Sequence, residues 1–280
     1  MAALETGTLD VPGARLHHEL RGTGPLLLLV PGGASDAAVF EPLAEQLATR
    51  YRVLSYDPRG ISRSPLHGPP VDQRVDVQAQ DALRLLDRHT VGDEPVLALG
   101  SCAGALVALE LLRTHPDRVA AVVAHEPPAM RLLPDGEAQV AFFEEVHETY
   151  RRDGAAAAML SLAGAFGGRP APALPEVRDN NEFFLAHVMR PTTAFSLDVA
   201  ALSGLADRIT PAGGLESRGY LIHRPVAALA ALLGRDLALF PGGHAGYAKH
   251  PEEFARQLGA VLDALPAGSA AVPAGLEEVS

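Results

Sequence analysis

The segment Gly100-Ser101-Cys102-Ala103-Gly104 sets a nucleophilic side chain between two glycines, after the apolar run 96–99 and before the largely apolar helical pattern 103–113. A turn this tight strains the residue at its tip, and the flanking glycines keep neighbouring side chains from colliding. The helix that starts behind the tip points its unpaired amides there and favours negative charge. A free thiol titrates near 8.5, so about a few per cent is thiolate at neutral pH, and a helix N-terminus with a nearby histidine lowers that value. Covalent catalysis by Cys102 is the chemistry this placement permits. Two other readings stand beside it: a buried structural cysteine in a strand-to-helix turn, and Ser101 as the nucleophile, although the position before the tip should point elsewhere.

Such a turn needs a parallel sheet to hold it. Two β-patterned segments, 6–11 and 15–20, flank Pro12-Gly13 and read as an opening hairpin. The continuous apolar run 26–30, closed by Pro31-Gly32-Gly33, reads as a strand buried on both faces. Helix 37–49, strand 52–56, helix 71–89, strand 96–99, helix 103–113 and strand 119–124 follow in alternation. After His125-Glu126-Pro127-Pro128 the alternation stops for about 75 residues in a helix-rich stretch holding most of the phenylalanines, then resumes with strand 208–212, helix 220–233, strand 236–240 and helix 252–265. The expected architecture is therefore an α/β core over residues 1–128 and 206–265, a helical cap inserted at 129–205, and a loose tail at 266–280. Repeated strand and helix crossovers specify a mostly parallel sheet with helices on both faces, and reactive groups gather at the carboxyl ends of its strands.

With those landmarks in order, the chain resembles the α/β-hydrolase superfamily over nearly its whole length, and most closely the single-domain bacterial hydrolases with a helical cap. Cys102 stands at the family's nucleophile elbow, where serine is usual. Asp57-Pro58-Arg59-Gly60 with Ser64 resembles the family's D-x-R-G-x-G-x-S turn, with Ser62 in place of the second glycine. Pro241-Gly242-Gly243-His244, followed by Gly246-Tyr247 and His250-Pro251, resembles the loop that carries the catalytic histidine. The resemblance implies His244 as general base, with His125 and His223 as weaker alternatives. It implies Glu216, after Gly213-Gly214, as the acid that orients the imidazole, with Glu126 as the competing acid. It implies an oxyanion hole made by the amides of Ala103 and Gly33, with Ala34 next to the latter.

A cysteine elbow constrains the substrate. Thiolate leaves readily, so an adduct with a simple alkyl ester or amide tends to collapse backwards, which favours thioesters, strained or enol lactones and aryl esters. The leading expectation is hydrolysis of an ester-like small molecule through an acyl-cysteine intermediate. The alternative is a non-hydrolytic tailoring enzyme of secondary metabolism, a cyclase, epimerase, eliminase or acyltransferase, with His244 or an acid as base; a binding protein without chemistry is a third reading. The net charge of −11 and the absence of a long apolar run point to a small-molecule substrate rather than nucleic acid or a membrane. The first ten residues lack a basic, apolar leader, so a cytoplasmic location is expected. One cysteine excludes an internal disulfide, and no ligand spacing or phosphate loop calls for a metal or a cofactor. Monomer and homodimer both remain open. Phe142, Phe143, Phe166, Phe183, Phe184 and Phe195 either pack within the cap or line an acyl pocket, and Arg151, Arg152 and Arg190 are exposed cations or carboxylate ligands.

Overall fold

All five residues of β3 (Leu26–Val30) are buried. The side chains divide by the period of two: Leu26, Leu28 and Val30 enter one apolar cluster, and Leu27 and Leu29 enter another on the opposite face. The computed structural model describes residues 3–90, 94–167 and 180–265. Within them eight strands form one sheet in the order β1-β2-β4-β3-β5-β6-β7-β8. The strands are β1 (Leu4–Val11), β2 (Ala14–Arg21), β3, β4 (Arg52–Tyr56), β5 (Val96–Ser101), β6 (Val119–His125), β7 (Ile209–Gly214) and β8 (Ala238–Phe240). β2 runs antiparallel to both β1 and β4, and every other pairing is parallel.

Helices α1 (Glu41–Leu47), α2 (Val75–His89) and α3 (Ala103–Thr114) connect the first strands, and helices Arg224–Leu233 and Pro251–Asp263 close the chain's second half. α2 and α3 pack into one cluster, α1 and Pro251–Asp263 into the other. Several helices start later than the sequence pattern suggests, and proline marks most of the shifts. The 37–49 pattern splits into a 3-10 turn, Ala37–Phe40, and α1, which has Pro42 in its first turn. The 71–89 pattern becomes helical only at Val75, beyond Pro69-Pro70. The 220–233 pattern opens with the 3-10 turn Leu221–His223 ahead of Pro225.

Between β6 and β7 no strand occurs among the described residues. The helices α4 (Gly136–Asp153) and α5 (Ala155–Leu162), a helical run over 181–193 and helix Val199–Ser203 fill this insertion. Met130, Phe143, Val146, Leu162, Leu185 and Met189 give it an apolar core of its own. The tail expected at 266–280 lies outside the described residues. No described helix is long and apolar enough to cross a membrane.

Candidate active site

Parallel register brings the strand ends together, with Val30 beside Gly100, Ser101 beside His125 and Gly214 beside Phe240. The residues that follow these ends, Gly32, Cys102, Glu126 and His244, therefore meet at one edge. Cys102 has φ 52° and ψ −123°, a backbone conformation that L-residues rarely adopt. Its amide donates to the His125 carbonyl at 2.9 Å, anchoring the turn to the neighbouring strand. The two elbow glycines are required by contact: a Cβ on Gly100 would lie 2.3 Å from the Gly104 carbonyl oxygen, and one on Gly104 would lie 2.1 Å from that of Val30. The loop after β3 is as close, since a Cβ on Gly32 would sit 2.3 Å from the Ser101 carbonyl oxygen and 2.6 Å from Cys102 Cβ. Cys102 remains partly exposed, whereas Ser101 is fully buried.

His244 follows β8 and donates from Nδ1 to Glu126 Oε2 at 2.7 Å. A carboxylate only accepts, so Nδ1 carries the hydrogen and Nε2 is left for the side-chain hydrogen bond with Cys102. Burial pushes the imidazole down, but the thiol and the Glu126 carboxylate outweigh it and raise His244 to about 10.

Glu126 is fully buried and has φ 49°, which turns its side chain back beneath the histidine loop. Oε1 accepts the Gly214 amide at 2.9 Å and lies 3.4 Å from His223 Nδ1; Oε2 also accepts the Ser217 hydroxyl at 3.3 Å. Burial pushes the carboxyl up, yet the bonds from His223 and His244 hold it well below the usual carboxylate range. Glu216 does not fill the orienting position read from the sequence. It lies exposed on the 3-10 turn Leu215–Ser217, where its amide donates to the Gly242 carbonyl at 2.9 Å, while Glu126 occupies His244 Nδ1. The cause is geometric: β6 runs one residue further than its apolar pattern, to His125, and the positive φ that follows delivers Glu126 from the adjacent strand.

His125 is completely buried against Phe240, Tyr247 and Phe254, and burial lowers it to about 4, so it stays neutral. It faces this packed interior rather than taking the Nδ1 bond that His244 makes. Ala103 opens α3, and its amide is among those with no acceptor inside the helix. Gly33 has φ 62°, and a Cβ there would meet the Phe184 ring at 3.5 Å. Phe184 begins a π-helical turn, Phe184–Val188. Phe166 packs on His244 with ring centroids 5.1 Å apart, whereas Phe142 and Phe143 pack on each other at 5.1 Å. Phe142 and Phe143 thus pack within the cap, while Phe166 and Phe184 face the residues at the strand ends. The three arginines pair with acids: Arg151 with Glu148, Arg152 with Asp153, and Arg190 with Asp72 and Glu144.

The Asp57–Ser64 turn is a scaffold. Asp57 accepts from the Ala37 amide and from Arg63, and Ser62, at φ 46°, uses its hydroxyl to bond Asp36 at 2.6 Å. Asn180 of the cap joins them, donating to the Ala34 carbonyl and the Ser62 hydroxyl at 2.9 Å each and accepting the Ser62 amide at 3.1 Å. Neither Asn180 nor Ser217 carries a local sequence signal, because each acts through a partner distant in the chain. Among the described residues no three His, Cys, Asp or Glu side chains are grouped to hold a metal ion.

A strained cysteine, a buried carboxylate and a histidine that follow β5, β6 and β8 of one parallel sheet define a class of fold and site. A family model described as alpha/beta hydrolase fold matches residues 25–169. The uncharacterized hydrolase YraK of Bacillus subtilis (strain 168) is 34% identical over 266 residues, spanning 93% of this chain and 97% of its own. A zearalenone hydrolase of Bionectria ochroleuca is 27% identical over 263 residues, or 90% of this chain and 95% of that one. Among solved structures, a thermophilic esterase from Thermogutta terrifontis superposes with a TM-score of 0.72 at 21% identity, covering 93% of this chain and 98% of that one, which is a likeness of fold. This chain belongs to the α/β-hydrolase fold family and is a hydrolase of that class.

Proposed function

We propose that this protein hydrolyses an ester-like small molecule, an activated ester, lactone or thioester, through an acyl-cysteine formed on Cys102. The observation that carries the reading is the continuous relay from the strained Cys102 through His244 to Glu126, with the His244–Glu126 bond at 2.7 Å. Cys102 Sγ attacks the carbonyl carbon, its proton having passed to His244 Nε2. The oxyanion is held by the Ala103 and Gly33 amides, each worth roughly 3 kcal/mol of transition-state stabilisation. The carbonyl re-forms as the leaving group departs, protonated by His244. Water then attacks the acyl-cysteine, giving its proton to His244, and the acid is released with the thiolate restored. Glu126 keeps the hydrogen on Nδ1 throughout.

Thiolate expulsion competes with departure of the alcohol or thiol, so good leaving groups are favoured. Phe166 over His244 and Phe184 over Gly33 add an apolar roof that suits an uncharged acyl group. Incubation with an aryl ester or acyl thioester should add one acyl mass to the intact protein, and Cys102→Ala should abolish both the adduct and turnover. Turnover retained in Cys102→Ala but lost in His244→Ala would instead indicate non-hydrolytic base chemistry in the same pocket.

A further inference from the structure

β7 ends in Gly213-Gly214; Gly214 makes room for the Gly243 backbone beside His244, and Gly213 makes room for His223, a partner of Glu126. A Cβ on Gly213 would lie 2.8 Å from His223 Nδ1 and 2.7 Å from its Cε1, so the imidazole rests against the strand end only because residue 213 has no side chain. From this seat Nδ1 reaches Glu126 Oε1 at 3.4 Å, on the oxygen opposite the one that takes His244. The His223 side chain is 11% exposed and sits on the 3-10 turn Leu221–His223. The next residue, Arg224, turns away to Asp135 at 2.6 Å, which leaves His223 as the group that this turn offers to the carboxylate.

We propose that His223 is a positioning residue that donates from Nδ1 to Glu126 Oε1, keeping the carboxylate ionised and aimed through Oε2 at His244. The inference rests on the reading of Glu126 as the orienting acid. The end of β7 and the loop after it, where the resemblance placed the acid itself, then supply three donors to an acid from the neighbouring strand: the Gly214 amide, the Ser217 hydroxyl and His223. The other titratable groups around Glu126 are His244, the neutral His125 and, further out, Cys102 and Tyr247. Glu126 sits below the ordinary carboxylate range despite burial, with His223 and His244 as its hydrogen-bonding causes.

Cys102 is the sole cysteine, so its alkylation by iodoacetamide, followed by intact mass, reports thiolate formation without any substrate. The experiment compares the full-length wild type with His223→Phe, which keeps a ring but no donor, and His223→Asn, which keeps a donor near the Nδ1 position. His223→Ala replaces the phenylalanine variant if that one does not fold. The expected result is an acid limb of the alkylation profile displaced upward by about half to one pH unit in His223→Phe, with kcat for an aryl ester lower by about tenfold and KM unchanged, the size implied by one hydrogen bond to a charged group. His223→Asn should recover both. A His223→Phe profile superimposed on that of wild type overturns the proposal, as does equal loss in the phenylalanine and asparagine variants. If wild type turns over no ester but the alkylation profile still shifts in His223→Phe and recovers in His223→Asn, the hydrolytic reading fails while the positioning role stands.

Discussion

Replacing Glu126 with glutamine keeps the side chain's size and exchanges one acceptor oxygen for an NH2 donor. The structure decides which oxygen is lost. At Oε1 the carboxylate meets the Gly214 backbone amide at 2.9 Å, a donor that cannot change character. At Oε2 it meets His244 Nδ1 at 2.7 Å and the Ser217 hydroxyl at 3.3 Å, and both of these can become acceptors. The amide therefore turns its NH2 toward His244, which accepts through Nδ1 and moves its hydrogen to Nε2, opposite Cys102. Stability should fall by only about 2 kcal/mol, because charge-assisted bonds become ordinary ones while no buried donor is orphaned. Turnover should fall by about 10²- to 10⁴-fold, because Nε2 no longer has a free lone pair for the thiol proton. Glu216→Gln, at an exposed position, should leave turnover unchanged. The assay is steady-state hydrolysis of an aryl ester, with urea unfolding of each variant alongside. Glu126→Gln within tenfold of wild type, together with a large loss in Glu216→Gln, would refute the assignment.

Two further outcomes follow from the buried polar groups. Asn180→Ala removes three hydrogen bonds between the cap and the loops of Ala34 and Ser62, and urea unfolding should show a loss of about 2–3 kcal/mol. His125 falls from 6.5 to about 4 because burial disfavours its charged form, so its contribution to stability is complete above about pH 6.5 and is lost as the pH falls toward 4. At 1.36 kcal/mol per unit this amounts to on the order of 3 kcal/mol. His125→Phe should flatten the stability profile between pH 6.5 and 4.5, and an unchanged slope would count against a buried neutral histidine.

The fold was legible in the chain because its determinants are local. The apolar run of β3, the alternation of strand and helix, and glycines where backbones nearly touch are all written within short windows, and Gly100, Cys102 and Gly104 make their elbow from five consecutive residues. His244 could be placed because its loop follows the last strand. The acid could not be settled in this way. Glu126 and Glu216 both follow strands that lie side by side in the sheet, and nothing within either segment tells which carboxylate reaches the imidazole. That was decided by one further residue of β6, a positive φ at Glu126 and donors drawn from the neighbouring strand and the loop after it. The seat of His223 and the Asn180 strap have the same origin: their partners lie 97 and more than 100 residues away, and only tertiary packing brings such groups within hydrogen-bond reach. The sequence by itself determined a cysteine at a strained turn at the carboxyl edge of a parallel sheet. The assembled strand ends determined which acid and which histidines stand behind it, since buried hydrogen bonds are short-ranged and are set by distances in space rather than by spacing along the chain.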